Sequence, residues 1–225
     1  MKLVPAIDLK DNKVVTTSKG SRRKYQEISL KLSPTSNPLK FIEYILTLGN
    51  FNTIYLADLD SIKEFKKHNN IIKTILQEYE NISFIVDNGA RKFSHLNLYE
   101  NSNFKQIIAT ECFEDYETII KKNYMDYILS ADFMNNEILQ INAKYKYLKP
   151  KKVISMNLDC IGEKKGINIK NLNSLREIYP LSNIVVSGGI RGNEDFHEAI
   201  KNGVTEIILL TAILEKNIDL IYTKY

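Results

Sequence analysis

Glycine is scarce in this chain: 9 of 225 residues, about 4% against a usual level of about 7%. A sequence this sparing should keep glycine where the backbone demands it, so the surviving positions are informative. Cysteine is scarcer still. Cys112 and Cys160 stand far apart with no CxxC spacing, which excludes a disulfide scaffold and fits reduced thiols in a cytoplasm. The three histidines, His68, His95 and His197, have no metal-ligand spacing, so no metal centre is expected. No run approaches the roughly 18–20 uncharged apolar residues that span a bilayer. Pro5 and Asp8 interrupt the N-terminus before a signal-like stretch can form, so the expectation is a cytoplasmic protein with no membrane partner. Neither sign of charge dominates: 31 Lys and Arg against 27 Asp and Glu, a net +4. That is too even for a nucleic-acid binder and suits a small anionic ligand. The one dense basic run, Lys19, Arg22, Arg23 and Lys24, reads either as a solvated loop or as a lid over an anion.

What is present is alternation. Eight short, β-branched, apolar runs read as buried strands: Lys2–Ile7, Thr53–Ala57, Ile82–Val86, Gln106–Ala109, Tyr127–Ala131, Lys152–Met156, Asn183–Val186 and Glu206–Leu210. They are nearly continuous in apolar character, as parallel strands covered on both faces are. Between them lie stretches with helical spacing: Leu39–Leu48, Asn70–Tyr79, Glu114–Lys122, Leu172–Tyr179, Glu194–Asn202 and Ala212–Tyr222. Ile141–Leu148 and Phe93–Tyr99 are weaker helix candidates. The segment Thr16–Pro38 reads as a long loop. Strand–helix alternation through residues 1–225, with no linker-like break, predicts one α/β domain, a closed (β/α)₈ TIM barrel. An open doubly wound sheet is the alternative.

The chain also resembles itself. Asp87-Asn88-Gly89-Ala90-Arg91 returns one hundred residues later as Ser187-Gly188-Gly189-Ile190-Arg191. Leu59-Asp60 returns as Leu158-Asp159, Ile7-Asp8-Leu9 as Ala131-Asp132-Phe133, and Ile107-Ile108 as Ile207-Ile208, in the same order. Four matches in register suggest two fused (βα)₄ half-barrels.

In such a barrel the site lies at the C-terminal ends of the strands. Asp8 and Asp132 end the first and fifth predicted strands, which face each other across an eight-stranded barrel. Two carboxylates on opposite walls can serve as base and acid on one small substrate, provided their surroundings push the pKa values apart. Ser187, Gly188, Gly189 and Arg191 lie between a strand and a helix, where backbone N–H groups can approach a phosphate. Gly89 and Arg91 form the pseudo-symmetric counterpart, and Thr110 and Thr211 offer hydroxyls at neighbouring strand ends. Asp58 and Asn157 complete the rim as candidate substrate contacts. Helix capping or loop solvation accounts equally well for any single acid at these strand ends, Asp8 and Asp132 excepted.

Pro5-Ala6-Ile7-Asp8-Leu9, Gly20, Ala57-Asp58-Leu59-Asp60 and Ser187-Gly188-Gly189-Ile190-Arg191 resemble, in strand order, the histidine-biosynthesis barrels. These are the ProFAR isomerase and its sister cyclase subunit, and Pro-Ala-Ile-Asp-Leu favours the isomerase branch. The resemblance implies a ribulose-phosphate-binding barrel, no cofactor, and a bisphosphorylated aminoribosyl substrate gripped at both ends. It assigns Asp8 as the base and Asp132 as the acid of an Amadori rearrangement. The family's third-strand glycine triplet is Asp87-Asn88-Gly89 here. Its sixth-strand Thr or Ser is Met156, its Asp-Gly pair is Ile161-Gly162, and its eighth-strand glycine is Leu210. The reading is a divergent isomerase acting on a small phosphorylated metabolite, as a monomer or small homo-oligomer. The alternatives are a related barrel enzyme with another isomerase or lyase reaction, and a non-catalytic phosphometabolite-binding barrel.

Overall fold

The computed structural model describes residues 1–17, 25–65 and 70–220. In chain order the strands are β1 (Lys2–Lys10), β2 (Lys13–Thr17), β3 (Tyr25–Glu27), β4 (Thr53–Asp58), β5 (Ser83–Asp87), β6 (Phe104–Ala109), β7 (Tyr127–Met134), β8 (Glu137–Ile138), β9 (Lys152–Asn157), β10 (Asn183–Ser187) and β11 (Glu206–Leu209). The helices are α1 (Pro38–Leu48), α2 (Leu59–Lys63), α3 (Asn70–Glu78), α4 (Tyr116–Lys121), α5 (Ile169–Ile178), α6 (Asn193–Lys201) and α7 (Thr211–Leu214).

Strands β1, β4, β5, β6, β7, β9, β10 and β11 pair in parallel in that order, and β11 pairs back onto β1. The sheet is therefore closed, a (β/α)₈ TIM barrel, and the open-sheet alternative is excluded. Side chains alternate across each strand, so every barrel strand has an inner and an outer row. Val4, Tyr55, Ile85, Ile107, Ile128, Ile154, Val185 and Ile208, one from each barrel strand, pack together inside. Burying each aliphatic among them contributes roughly 1.5–3 kcal/mol. The outer rows, including Leu3, Ile7, Leu56, Val86, Ile108 and Leu129, pack against helix residues such as Phe41, Ile75, Tyr116, Leu172 and Phe196.

All eight barrel strands fall where the apolar runs predicted them. The decorations differ. Thr16–Pro38 is not a plain loop: β1 turns at Asp11-Asn12, both in left-handed conformation (φ 49° and 59°), into an antiparallel hairpin with β2, and β3 adds to that. Such turns favour Asn and Asp, whose short side chains tolerate the left-handed region. The basic run Lys19–Lys24, with Gly20, and His68 lie outside the described residues. Phe93–Tyr99 and Ile141–Leu148 contain only short 3₁₀ turns, Phe93–His95 and Ala143–Tyr147. Of the expected helix Ala212–Tyr222, the described part holds a single α-helical turn, Thr211–Leu214, and residues 221–222 lie outside the described residues. The polar Glu215-Lys216-Asn217 breaks the apolar stripe, and Lys216 adopts φ 57°. Among the described residues no helix is long and apolar enough to cross a membrane.

Candidate functional site

A cavity opens at the C-terminal ends of the barrel strands. Asp8, Asp132, Ser187, Gly188, Gly189 and Thr211 line it together. Asp8 is on β1 and Asp132 on β7, four strands apart in either direction around the closed ring, so the two carboxyls occupy opposite walls.

The chain positions both with the same device. Three residues beyond each aspartate the strand reaches a two-residue turn in left-handed conformation, Asp11-Asn12 after Asp8 and Asn135-Asn136 after Asp132. Each turn opens a hairpin, β1–β2 or β7–β8. The Asp11 N–H donates to the Asp60 carboxylate at 2.8 Å, and the Asn135 N–H donates to the Asp159 carboxylate. Asp60 and Asp159 follow the neighbouring strands β4 and β9. The extension that carries each aspartate is thus pinned to the next βα loop.

Asp132 is almost fully buried and heavily solvated by protein. The Ser130 hydroxyl donates to it at 2.7 Å, the Glu111 N–H at 3.2 Å and the Thr110 hydroxyl at 3.3 Å. Burial nonetheless pushes its carboxyl up to about 8, with the nearby charges of Glu111 and Asp87 adding to the rise and the Ser130 and Glu111 bonds opposing it. At neutral pH it is therefore largely protonated and able to donate a proton. Thr110, fully buried, orients Asp132 and does not line the cavity.

The β10–α6 turn explains two of the glycines. Gly188 has φ +90°, and a Cβ there would sit 2.4 Å from the Asn157 carbonyl oxygen. Gly189 accepts the Gly166 N–H at 2.7 Å, which ties the turn to the loop after β9. Ser187 and this glycine pair are exposed to the cavity next to Thr211.

Other expected contacts turn elsewhere. The Arg191 guanidinium forks onto the buried Asp195 carboxylate of α6, which also accepts the Arg191 N–H at 2.6 Å. The Arg91 guanidinium donates to the carbonyls of Ile62 and Lys63 at the C-terminal end of α2, at 2.7 and 3.4 Å. A Cβ on Gly89 would meet the Ser61–Ile62 backbone at 2.5 Å, so this glycine permits close packing against α2. Asp58 caps α2 through the Ser61 N–H and hydroxyl, at 3.2 and 2.7 Å. The Asn157 amide donates to the Cys160 sulfur at 3.2 Å. None of Arg191, Arg91, Gly89, Asp58 and Asn157 lines the cavity.

The cavity also gathers residues that the strand-end reading does not assign a role. Tyr55, within β4, lines it, as do Asp87, Glu111 and Lys164. The hairpin contributes Val15, Thr16, Thr17 and Tyr25. Tyr55 follows the inward alternation of its strand, which is the signal that could have found it. The hairpin residues had none, because their approach depends on how β2 and β3 fold over the barrel mouth.

A family model described as "Histidine biosynthesis protein" matches residues 2–219. The chain belongs to this family. Its similarity to individual members is low but runs end to end. It is 30% identical to an uncharacterized protein of Methanocaldococcus jannaschii, over 98% of this chain and 96% of that one. It is 24% identical to the 1-(5-phosphoribosyl)-5-((5-phosphoribosylamino)methylideneamino) imidazole-4-carboxamide isomerase of Leuconostoc mesenteroides, over 99% and 98%. Against the isomerase of that name from Clostridium botulinum the identity is 25%, over 98% and 95%. Histidine-biosynthesis family membership thus joins a closed barrel to a cavity with an aspartate on each of two opposite walls.

Proposed function

We propose that the protein is an intramolecular aldose–ketose isomerase that performs an Amadori rearrangement on a phosphorylated aminosugar. The observation that carries this reading is the placement of Asp8 opposite the buried Asp132 across one cavity, with burial pushing the Asp132 carboxyl up. Asp132 donates its proton to the ring oxygen of the cyclic aminoaldose, and the C1–O bond breaks to leave a protonated Schiff base. The Asp8 carboxylate then removes the proton from C2, giving an enolamine. Tautomerisation, with a proton added at C1 and the C2 hydroxyl proton released, yields the aminoketose. No electrons leave the substrate, so the reaction balances without a redox partner. The isomerase names of the full-length relatives support the same chemistry.

Phosphate is held, on this reading, by the backbone of Ser187, Gly188 and Gly189 and by Thr211, where β10 and β11 end. Anions favour such glycine-lined turns. Gly89 and Arg91, the counterpart loop, are engaged with α2, which favours a substrate other than the bisphosphorylated one of the standard isomerase. The proposed protein works in the cytoplasm.

Two assays test the reading. The purified protein is supplied with ProFAR and with monophosphorylated aminoaldoses, and product is followed by absorbance and mass spectrometry. Turnover of one of them, lost by about 10²–10⁴-fold in Asp8→Asn and in Asp132→Asn, is the expected result. An undiminished rate in Asp8→Asn would remove the proposed base. Failure to rescue an isomerase-deficient histidine auxotroph, with turnover of another aminoaldose, would place the enzyme outside the histidine step.

A further inference from the structure

A bound phosphate calls for a cation, and the arginines of the two glycine loops are committed elsewhere. Arg191 follows the glycine turn, but its guanidinium is spread over Asp195, a carboxylate with 1% exposure. Drawing it away would strand a buried charge, which is costly. Arg91 holds the carbonyls of Ile62 and Lys63. Neither lines the cavity. Among the described residues that do, Lys164 is the single cation.

The segment between β9 and α5 places this lysine. At one end the Gly166 N–H donates to the Gly189 carbonyl at 2.7 Å. Gly166 also packs on the arginine: a Cβ there would stand 3.0 Å from Arg191 Nη2 and 3.1 Å from Asp195 Oδ1. At the other end Gly162 packs on β2, where a Cβ would meet the Thr17 carbonyl oxygen at 2.5 Å. Lys164 stands between these two anchors, and its ammonium pairs with Glu215. The Glu215 N–H donates to the Thr211 carbonyl at 2.9 Å, so the acid is one helical turn from Thr211. Glu163, which also lines the cavity, is taken up by Lys165. The Lys164–Glu215 pair faces solvent, with side chains 50% and 30% exposed. Such a pair contributes little and is easily exchanged. Glu215 also accepts the Asn217 amide at 2.8 Å, so it keeps a partner when the lysine leaves.

We infer that Lys164 is the cation that binds the ligand's phosphate, parked on Glu215 in the empty site and transferred to the phosphate when ligand enters. The inference rests on the isomerase reading for the phosphate end only, the Ser187–Gly189 turn and Thr211. The neutral N–H and hydroxyl groups there orient a phosphate but do not balance its charge. A flexible ammonium supplies the charge without a fixed geometry, and its hydrogen bonds to a phosphate are charge-assisted and strong. The dianion carries more charge than the Glu215 carboxylate, so the exchange runs toward the ligand. Arg191, tied to Asp195, holds the turn and leaves the phosphate to the lysine.

The test is isothermal titration of the full chain with inorganic phosphate at neutral pH and low salt, with circular dichroism to check the fold of each variant. Lys164→Met should weaken binding by about tenfold or more, and Lys164→Arg should restore it to within about threefold. Glu215→Gln should tighten binding by about twofold to fivefold, because the competing carboxylate is gone. The sign of this last effect is decisive. A pair that merely braces the segment would weaken binding when either partner is removed. Weaker binding in Glu215→Gln, or undiminished binding in Lys164→Met, therefore overturns the role of Lys164. Gly188→Ala tells that failure from a failure of the phosphate end. If it abolishes binding while Lys164→Met has no effect, the phosphate end stands without the lysine. If neither variant changes the affinity, or the wild-type protein binds no phosphate, both fall.

Discussion

Thr110 and Asp132 grip each other twice: the Asp132 N–H donates to Thr110 Oγ1 at 3.0 Å, and the Thr110 hydroxyl reaches the Asp132 carboxylate at 3.3 Å. Thr110, the first residue after β6, therefore fixes both the backbone and the side chain of the acid on β7. With Ser130 two residues earlier on the same inner row, it leaves the carboxyl little freedom to turn. A proton donor held this way needs no reorganisation when substrate arrives.

The first prediction concerns pH. If Asp132 must carry a proton, turnover falls as pH rises through about 8, the value to which burial pushes this carboxyl. The Ser130 hydroxyl stabilises the ionised form, so Ser130→Ala should raise the carboxyl further and move the alkaline limb to higher pH. A pH–rate profile of the two proteins checks this; a limb that moves to lower pH in Ser130→Ala contradicts the assignment.

The Asp132→Asn variant that loses activity should gain stability. The Asp132 carboxyl has an ordinary value of 3.8 and a raised value near 8 in the folded protein. Between these values the folded chain keeps a proton that the unfolded chain releases, so the protein loses stability as pH rises through that window. Asp132→Asn removes this dependence. The variant should gain on the order of 2 kcal/mol over wild type at the alkaline end of the window and little at the acid end. Urea unfolding at both ends measures it, and an equal change at each end would point to packing instead of charge.

Gly188→Ala should be costly. The added methyl would meet the Asn157 carbonyl at 2.4 Å, in a backbone conformation with φ +90°. About 2 kcal/mol or more of destabilisation is expected, together with loss of phosphate binding because the turn must shift. A variant with wild-type unfolding midpoint would show that the turn adapts freely.

Arg191→Met separates two roles. Asp195 is buried at 1% exposure and receives both the Arg191 guanidinium and its N–H. Removing the guanidinium leaves that carboxylate with less compensation, at a cost of about 1–3 kcal/mol. Affinity for inorganic phosphate should change by no more than about threefold. A large loss of phosphate affinity with intact stability would instead return Arg191 to the phosphate site.

The sequence by itself determined the barrel. Eight apolar β-branched runs separated by amphipathic stretches permit few other packings, because parallel strands bury both faces and so write continuous apolar runs into the chain. It also determined that Asp8 and Asp132 would share a cavity, since strand ends converge once strand order is known. Tertiary structure alone decided what the remaining polar residues do. Arg91 and Arg191 stand at repeated positions in the chain, yet one holds the carbonyl end of α2 and the other a buried aspartate. A guanidinium takes the nearest oriented acceptors, and these come from segments distant in sequence or one helical turn away. Tyr55 on β4, Asp87 at the end of β5 and Glu111 in the loop after β6 line one cavity only because ring closure brings these strands together. The few glycines follow the same division. The sequence marks Gly89 and Gly188 as turns that need a residue without a side chain. Only the fold tells that Gly89 packs against α2 while Gly188 opens onto the cavity, because its neighbours in space are set by which loop crosses above it.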